Sequence, residues 1–364
     1  MASFLQQTVK ALKSSYPWTT TPLIVGAPMR IISGPALAVA ISSAGGLGFI
    51  GPGAQPTDLE PALLEAKAML SESSLPPPSP SGVLPIGVGF QTWAGDLTVA
   101  SSAIKTCKPA AAWLFAPRHG QPELDTWTRA LRAASPRTQI WIQVASVADA
   151  LAAAHSAAPP DVLALQGADA GGHSLTQGAG LTTLVPEAFD ALAAAGAGPA
   201  ASLPLIAAGG ILDGRGVGAA LVLGASGAAM GTRFLGAREA RIAAGYRRHV
   251  LTASDGGQST VRTQLYNHLR GTMDWPAGFD ARGLANRSWW DNVAGVPFER
   301  NRELHEEARK LGDAAWGPEG RMATYAGTGV GLVREVMGAG EIVGEVREGA
   351  RRAVGGLKGG LEGV

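Results

Sequence analysis

The chain has 364 residues, and 46% of them are hydrophobic, so it can bury a large core and is not disordered over most of its length. Its 30 basic and 29 acidic residues give a formal net charge of +1, which excludes the broad positive field that nucleic acid binding requires. A single cysteine, Cys107, excludes an internal disulfide and a thiolate metal site. No apolar run reaches the roughly 18 residues of a membrane-spanning helix, so neither nucleic acid nor membrane is expected as a partner.

The amino-terminal segment is relevant to the cellular compartment of the protein. Its first residues lack the apolar core of a secretory signal. They carry Lys10 and Lys13, and no acidic residue precedes Asp58, so a mitochondrial presequence stays open. We expect a cytoplasmic protein.

Short apolar segments bounded by glycine, proline or serine recur along the chain and predict buried strands. A helical pattern follows them, as at Ser33–Gly34–Pro35, where serine and proline are typical of a helix start. The predicted strands are residues 23–27, 47–50, 83–90, 110–115, 139–144, 162–165, 205–208 and 225–230.

Strand and helix alternate eight times before residue 250, which is the pattern of parallel βαβ units. Eight units favour the α/β class with a closed (β/α)₈ TIM barrel; a doubly wound open sheet is the alternative. We expect residues 1–250 to form the barrel and 251–320 to form a mainly helical region over the active site. Residues 321–364 are expected to be a C-terminal segment that returns to the barrel.

The segment Asp161–Ser174 predicts the centre of the site. Its apolar run ends in a loop with Gln166 and Asp169, then Gly171, Gly172 and His173. Loops at the carboxyl ends of barrel strands carry the chemistry of such enzymes, and glycine lets backbone N–H groups approach a ligand closely. The alternative for these residues is a tight turn with a surface histidine.

Two further glycine turns, Gly209–Gly210 and Gly231–Thr232, follow the seventh and eighth predicted strands. Loops at these positions of a barrel commonly bind phosphate, although ordinary βα turns are the alternative. No Rossmann fingerprint stands between a first strand and its helix, and the histidines lack metal-ligand spacing, so no metal is expected. A cofactor with one phosphate, FMN, fits this pattern; pyridoxal phosphate needs a Schiff-base lysine, which no predicted strand contains.

At this point the sequence resembles the nitronate monooxygenases, formerly called 2-nitropropane dioxygenases. Order and spacing of the motifs carry the resemblance more than any one of them alone. The shared motifs are GAPM (26–29), AGGLGFIG (44–51), GVGF (87–90), QVASVADA (143–150), QGADAGGHS (166–174), PLIAAGGI (204–211), GAAMGTRF (227–234) and YAGTGVG (325–331). The resemblance implies an FMN-containing (β/α)₈ barrel that oxidises alkyl nitronates with O₂ to a carbonyl compound and nitrite.

The resemblance also implies roles for individual residues. It places Ala27, Pro28 and Met29 beside the flavin ring, and it assigns the catalytic part to His173. The implied flavin-site lining is Gln143, Gln166, Gly171 and Gly172, and the implied phosphate site is Gly209, Gly210, Gly231 and Thr232. The expected partners are a nitronate or nitroalkane and O₂, in a monomer or a homodimer.

Two features leave the substrate open. Many bacterial members have asparagine in the third-strand motif, where this chain has Gly89. From their place after the third strand, Phe90 and Trp93 are predicted to border a substrate pocket.

Two other functions stay open. FMN-dependent enoyl-acyl-carrier-protein reductases, which use NAD(P)H, share the barrel motifs and are one alternative; a non-catalytic flavin-binding protein is the other.

His173 has three conceivable roles. As a histidine of near-neutral pKa it would take the α-proton of a neutral nitroalkane. When protonated it would hold an anionic nitronate. The third role is only to order the loop.

Overall fold

The computed structural model of the protein describes residues 2–53, 56–72, 82–195 and 202–361. Its strands there are β1 Leu23–Gly26, β2 Leu47–Ile50, β3 Leu84–Gln91, β4 Pro109–Phe115, β5 Gln139–Val144, β6 Val162–Gln166, β7 Gly172–Leu175, β8 Leu205–Ala208, β9 Gly227–Met230, β10 Thr260–Thr263 and β11 Phe279–Leu284. Parallel pairing in the order β1, β2, β3, β4, β5, β6, β8, β9 forms a closed barrel, because β9 also pairs with β1. The predicted TIM barrel is confirmed, and the open-sheet alternative is wrong.

Helices surround this barrel and form most of the chain beyond it. The α-helices of the described residues are α1 Ala2–Ser15, α2 Pro35–Ser43, α3 Leu59–Glu72, α4 Leu97–Cys107, α5 Gln121–Ala134, α6 Val147–Ala154, α7 Leu181–Ala194, α8 Gly214–Val222, α9 Ala244–Thr252, α10 Gly256–Ser259, α11 Leu265–Leu269, α12 Arg287–Val293, α13 Phe298–Arg309 and α14 Ala339–Leu361. Short 3₁₀ helices lie at Pro56–Asp58, Thr232–Gly236, Gly312–Ala315 and Thr328–Leu332.

Bulky aromatic side chains fill the lower part of the barrel. Phe49, Trp113 and Trp141 pack ring to ring, with centroids 5.2–5.3 Å apart. Tyr16, which follows α1, is fully buried against this cluster, and its hydroxyl accepts a hydrogen bond of 2.8 Å from Trp141 Nε1. Because side chains alternate along each strand, Gln143 follows Trp141 on the inner face one layer higher. The α1 end of the barrel is therefore closed, and the site lies at the opposite, carboxyl end.

The helix that completes the outer ring comes from the end of the chain. α14 packs against α8 and α2, and Arg347 on it donates hydrogen bonds of 3.0 and 2.8 Å to the carbonyls of Ala44 and Gly45. A Cβ on Gly214, the first residue of α8, would lie only 2.2 Å from backbone atoms of α14, so glycine permits this close packing. The carboxyl-terminal helix thus occupies the place beside the first helix of the barrel.

The helix at the end of the predicted barrel region is α9, which begins at Ala244. Its Tyr246 and Val250 belong to a separate apolar cluster with Leu284 and Val330, away from the main barrel core. The structure accordingly places α9 with the segment beyond the barrel. The division of the chain at residues 250 and 320 stays a prediction.

A small second sheet was not expected from the sequence. β10 and β11 pair antiparallel, and β11 pairs in turn with β7, so that Ala281 lies opposite His173. Residues 172–174 therefore form a strand, where the sequence predicted a loop. β10 and β11 were missed because the half-buried Arg262 and Arg282 interrupt the apolar alternation that identifies a strand. Among the described residues, no helix is long and apolar enough to span a membrane.

Candidate active site

A cavity of about 650 Å³ lies at the carboxyl ends of the barrel strands. Its size is in the range of small-molecule and cofactor sites, which is about 300–1,000 Å³. Nearly all of the residues that the sequence placed at the site border it. These are Ala27, Pro28, Met29, Phe90, Gln143, Gln166, Gly171, Gly172, His173, Gly209, Gly210, Gly231 and Thr232.

The predicted substrate-pocket residues contribute less. Phe90 borders the cavity, but its ring packs outward on Trp127 of α5, 5.5 Å between centroids, and is 7% exposed. Trp93 does not border the cavity; its ring lies 5.1 Å from that of Trp275, which does. The aromatic residues that line this side are Phe115 and Trp275.

The turn after β8 requires glycine. Gly209 and Gly210 have φ values of 101° and 73°, a region that side chains rarely adopt. A Cβ on Gly209 would lie 2.8 Å from the carbonyl oxygen of Gly167. α8 begins only at Gly214, and the carboxylate of Asp213 already accepts its first N–H groups. A phosphate here would therefore be held by the turn itself, and not by the end of the helix.

Gly231 differs from these glycines. Its φ is −106°, which any residue adopts, and a Cβ there would meet nothing closer than the sulfur of Met29 at 3.5 Å. The protein itself leaves room for a side chain at this position. The absence of a side chain at Gly231 therefore leaves free space in the cavity.

Gly171 packs against the segment Tyr325–Gly331. A Cβ on Gly171 would lie 2.4 Å from the backbone of Ala326. Two hydrogen bonds reinforce the contact: Gly327 N–H donates to Thr232 Oγ1 at 2.9 Å, and Thr328 Oγ1 donates to Asp169 at 2.8 Å. The glycine at 171 therefore permits contact between two parts of the chain, whereas the sequence analysis attributed it to ligand approach alone.

Two glutamines cover the floor of the cavity. Gln143 Oε1 accepts a hydrogen bond of 2.8 Å from Trp113 Nε1, which fixes the amide. Gln166 Nε2 donates to the carbonyl oxygen of His173 at 3.3 Å, while its Oε1 is buried without a hydrogen-bond partner among the described residues. A buried acceptor of this kind is normally satisfied, so Gln166 presents a position for a ligand N–H group.

The side chain of His173 is held on two sides. Nε2 lies 3.0 Å from Oδ1 of Asn267, on α11. The ring of Trp275 stacks on the imidazole at a centroid distance of 3.5 Å and an angle of 4°. β7 therefore presents His173 to the cavity, and the segment beyond the barrel fixes its ring.

His173 does not have the near-neutral pKa that the sequence analysis expected. Burial lowers the pKa to about 3, and the nearby cations Arg270, Arg262 and Arg30 lower it further, against the Asn267 hydrogen bond, which raises it. The imidazole is therefore neutral near pH 7. A role as a positively charged anchor is correspondingly disfavoured.

Positive charge in the cavity comes from arginines instead. Arg30 and Arg270 both line it, and burial together with the charge of Arg270 lowers the pKa of Arg30. Neither forms an ion pair with a carboxylate within the described residues; Arg270 Nη1 donates to Tyr325 Oη at 3.3 Å. Neither arginine is predictable from the sequence, because isolated arginines carry no motif, although Arg30 directly follows GAPM. The pair favours an anionic ligand.

Comparison with known proteins identifies related sequences. A sequence model of the family described as nitronate monooxygenase matches residues 131–349. Nitronate monooxygenase npaC of Metarhizium robertsii is 57% identical, over 96% of this chain and 97% of its own length. A nitronate monooxygenase of Neurospora crassa is 35% identical, over 96% of this chain and 94% of its own length.

Solved structures share the fold. FabK from Thermotoga maritima has a TM-score of 0.72 and 25% identity, covering 96% of this chain and 98% of its own. A nitroalkane oxidase from Streptomyces ansochromogenes has a TM-score of 0.70 over 95% of this chain and 99% of its own; at 22% identity it shows the fold alone.

The fold and the cavity define a (β/α)₈-barrel enzyme whose site lies at the carboxyl ends of the strands. The chain belongs to the nitronate monooxygenase family. It is thus an oxidoreductase of a flavin-dependent family, and the non-catalytic alternative is set aside. The reductase alternative is not favoured, because the closely matching sequences carry the nitronate monooxygenase name.

Proposed function

We propose that the protein binds FMN in this cavity and oxidises alkyl nitronates with O₂ to a carbonyl compound and nitrite. One observation carries the proposal: a single cavity joins His173, the glycine turns after β8 and β9, and two arginines that have no acidic partner among the described residues. A nitronate is an anion, and this cavity has the charge to attract it.

The residues present fit FMN. The turns Gly209–Gly210 and Gly231–Thr232 would hold its phosphate, because they offer backbone N–H groups without obstructing side chains. Ala27, Pro28 and Met29 would lie beside the ring system. Gln166, with its unpartnered Oε1, would accept a hydrogen bond from a ring N–H. Bound there, FMN supplies the group that accepts electrons from the substrate and passes them to O₂.

Arg30 and Arg270 are proposed to hold the substrate anion. Both line the cavity and are exposed to solvent, so their charges reach an anion that enters it. Their attraction lowers the free energy of a bound nitronate. It also favours the conversion of a bound neutral nitroalkane into its nitronate.

His173 is proposed to be the base in that conversion. Its pKa of about 3 would make it a weak base by itself. An anion formed beside the imidazolium raises that pKa, since opposite charges stabilise each other at short distance. A substrate that is already a nitronate does not need this step.

The test is steady-state turnover of the purified protein in air, with a nitronate, with its parent nitroalkane, and with NADH alone. We expect a yellow protein with about one FMN per chain and nitronate-dependent O₂ uptake and nitrite release without NADH. Rapid reduction of the flavin by NADH, followed by reoxidation by an enoyl thioester, would instead establish the reductase alternative. A colourless protein that binds no added FMN would contradict the cofactor assignment.

A further inference from the structure

Asn267 is the hydrogen-bond partner of the proposed base. It lies on α11 and is 2% exposed. Its Oδ1 is 3.0 Å from His173 Nε2 and 3.2 Å from Tyr325 Oη. Tyr325 Oη in turn receives an N–H from Arg270 at 3.3 Å. Arg270, Tyr325, Asn267 and His173 thus form one hydrogen-bonded chain.

The protons of this chain can be assigned in order. Arginine has no acceptor, so Arg270 donates and Tyr325 Oη accepts. The structure orients the Asn267 amide so that Oδ1 faces both Tyr325 Oη and His173 Nε2, and the hydroxyl proton of Tyr325 points to that oxygen. That oxygen can only accept from His173, so Nε2 carries the proton. A neutral imidazole has one ring proton, which leaves a lone pair on Nδ1.

We propose that Asn267 is a positioning residue that fixes His173 in the Nε2–H tautomer and leaves Nδ1 as the atom that accepts the substrate proton. The catalytic half of this inference rests on the proposed function. In the step, the Cα–H bond of the nitroalkane breaks and the proton bonds to Nδ1. The electron pair of that bond stays on the substrate and gives the nitronate, so nothing is oxidised.

Other contacts hold the ring in place without deciding its proton. Trp275 stacks on one face, and the backbone pairing of β7 with β11 fixes the main chain. The carbonyl oxygen of Asn267 accepts from the backbone N–H and the hydroxyl of Thr272, at 2.9 and 3.1 Å. A change confined to the Asn267 side chain therefore leaves these contacts present.

The surroundings make Asn267 important for base strength as well. The groups that face His173 with charge are Arg30, Arg262 and Arg270, and each disfavours the imidazolium. Tyr325 contributes a neutral hydroxyl whose pKa is raised by burial. The bond to Asn267 is the contact that favours protonation, because an acceptor on Nε2–H stabilises the positive ring.

The tautomer is measured directly by ¹⁵N NMR of the imidazole nitrogens in the purified protein. His173→Gln identifies the signals of His173 among those of the six histidines. We expect a protonated Nε2 and a bare Nδ1 in the wild type, and a mixture of tautomers or Nδ1–H in Asn267→Leu. A wild type with Nδ1–H, or an unchanged tautomer in Asn267→Leu, overturns the proposal. The measurement does not require turnover, so it stands apart from the test of the proposed function.

The pH dependence of kcat/KM for the neutral nitroalkane tests the link to catalysis. Asn267→Asp keeps an acceptor and adds a negative charge, so the acidic limb should move to higher pH by about 1 unit or more. Asn267→Leu should lower kcat/KM for the neutral nitroalkane roughly 10- to 100-fold, less than complete loss of a base, and should lower it less for the nitronate. Asn301→Asp is the matched control: Asn301 is fully buried beside Arg321 and outside the Arg270–His173 chain, so the limb should stay. If the acidic limb of kcat/KM lies at the same pH in wild type and in Asn267→Asp, Asn267 has only a structural role.

Discussion

His173 carries the chemical hypothesis at the scale of single residues. If it is the base, His173→Asn should lower kcat/KM for the neutral nitroalkane by roughly 10² to 10⁴ and spare nitronate turnover. Its low pKa already makes a charged anchor a poor description. A large increase in the nitronate KM in this variant would instead support the role of His173 as an anchor for the nitronate.

The same variant also tests a purely structural part for His173. The backbone pairing of His173 with Ala281 does not depend on the imidazole, so the strand should persist. FMN content and melting temperature, measured on the preparation used for kinetics, should remain near those of the wild type. Loss of FMN together with both activities would show that the ring only orders this region.

Gly231 offers a second prediction at this scale. Its backbone tolerates a side chain, and a Cβ there extends toward Met29 within the cavity. Gly231→Ala should weaken FMN binding, and Gly231→Leu should weaken it more, by about 1–3 kcal/mol of overpacking. Equilibrium titration of the apoprotein with FMN measures this, and melting of the apoprotein should be nearly unchanged. Gly344→Ala is the control, since a Cβ there meets nothing within 4 Å; equal FMN affinity in all variants would place the phosphate elsewhere.

At the scale of elements, the contact between the β6–β7 turn and the segment Tyr325–Gly331 is testable through a pair of adjacent glycines. Gly171→Ala places a Cβ 2.4 Å from the backbone of Ala326, so one segment must move. We expect a loss of about 1–3 kcal/mol in unfolding free energy, with reduced FMN content because Thr232 is tied to Gly327.

Gly172 provides the control for that contact. Its φ is 71°, but a Cβ there meets nothing within 4 Å, and asparagine adopts this conformation more easily than most residues. Gly172→Asn should therefore cost only backbone strain and lose less stability in chemical denaturation than Gly171→Ala. Equal destabilisation of both variants would mean that backbone conformation, and not the close approach to Ala326, decides the cost.

The elements also show what the sequence can and cannot determine. The barrel strands were predictable because each is a short apolar run between glycine, proline or serine, and their carboxyl-end residues meet in one cavity for that reason. β10 and β11 were not predictable, because Arg262 and Arg282 interrupt their apolar pattern. These two arginines stand opposite each other, and both donate hydrogen bonds to the carbonyl of Ala168. Asn267, Arg270 and Trp275 lie about 100 positions after His173 in the chain, and only tertiary structure brings them to it.

For the whole molecule, the segment beyond the barrel is part of the site and not an independent attachment. It supplies Arg270 and Trp275 to the cavity and Asn267 to the ring of His173, and it returns through α14 to the barrel wall. Its folding and the arrangement of His173 are therefore coupled. Conditions that destabilise this segment should affect stability and activity together.

Acidification is such a condition, and its sign follows from buried His249. Burial lowers the pKa of His249 to about 4, while its Nδ1 lies 3.0 Å from Thr324 Oγ1. Because the unfolded chain titrates near 6.5, it binds more protons than the folded protein between these values. Unfolding free energy should therefore be fully present above about pH 6.5 and fall by about 2 to 3 kcal/mol as the pH drops toward about 4.

The variant His249→Gln isolates this contribution. It removes the titrating ring, so the difference in melting temperature between about pH 7.5 and about pH 5 should shrink, whatever happens to stability at neutral pH. His119→Gln alters an exposed histidine and should leave the difference as in the wild type. If His249→Gln keeps the full pH dependence, other groups dominate it, among them His173, which is also buried and neutral.

Since His173 lines the cavity, a bound anion should raise its pKa, so the acid sensitivity that remains in His249→Gln should diminish when a nitronate is present.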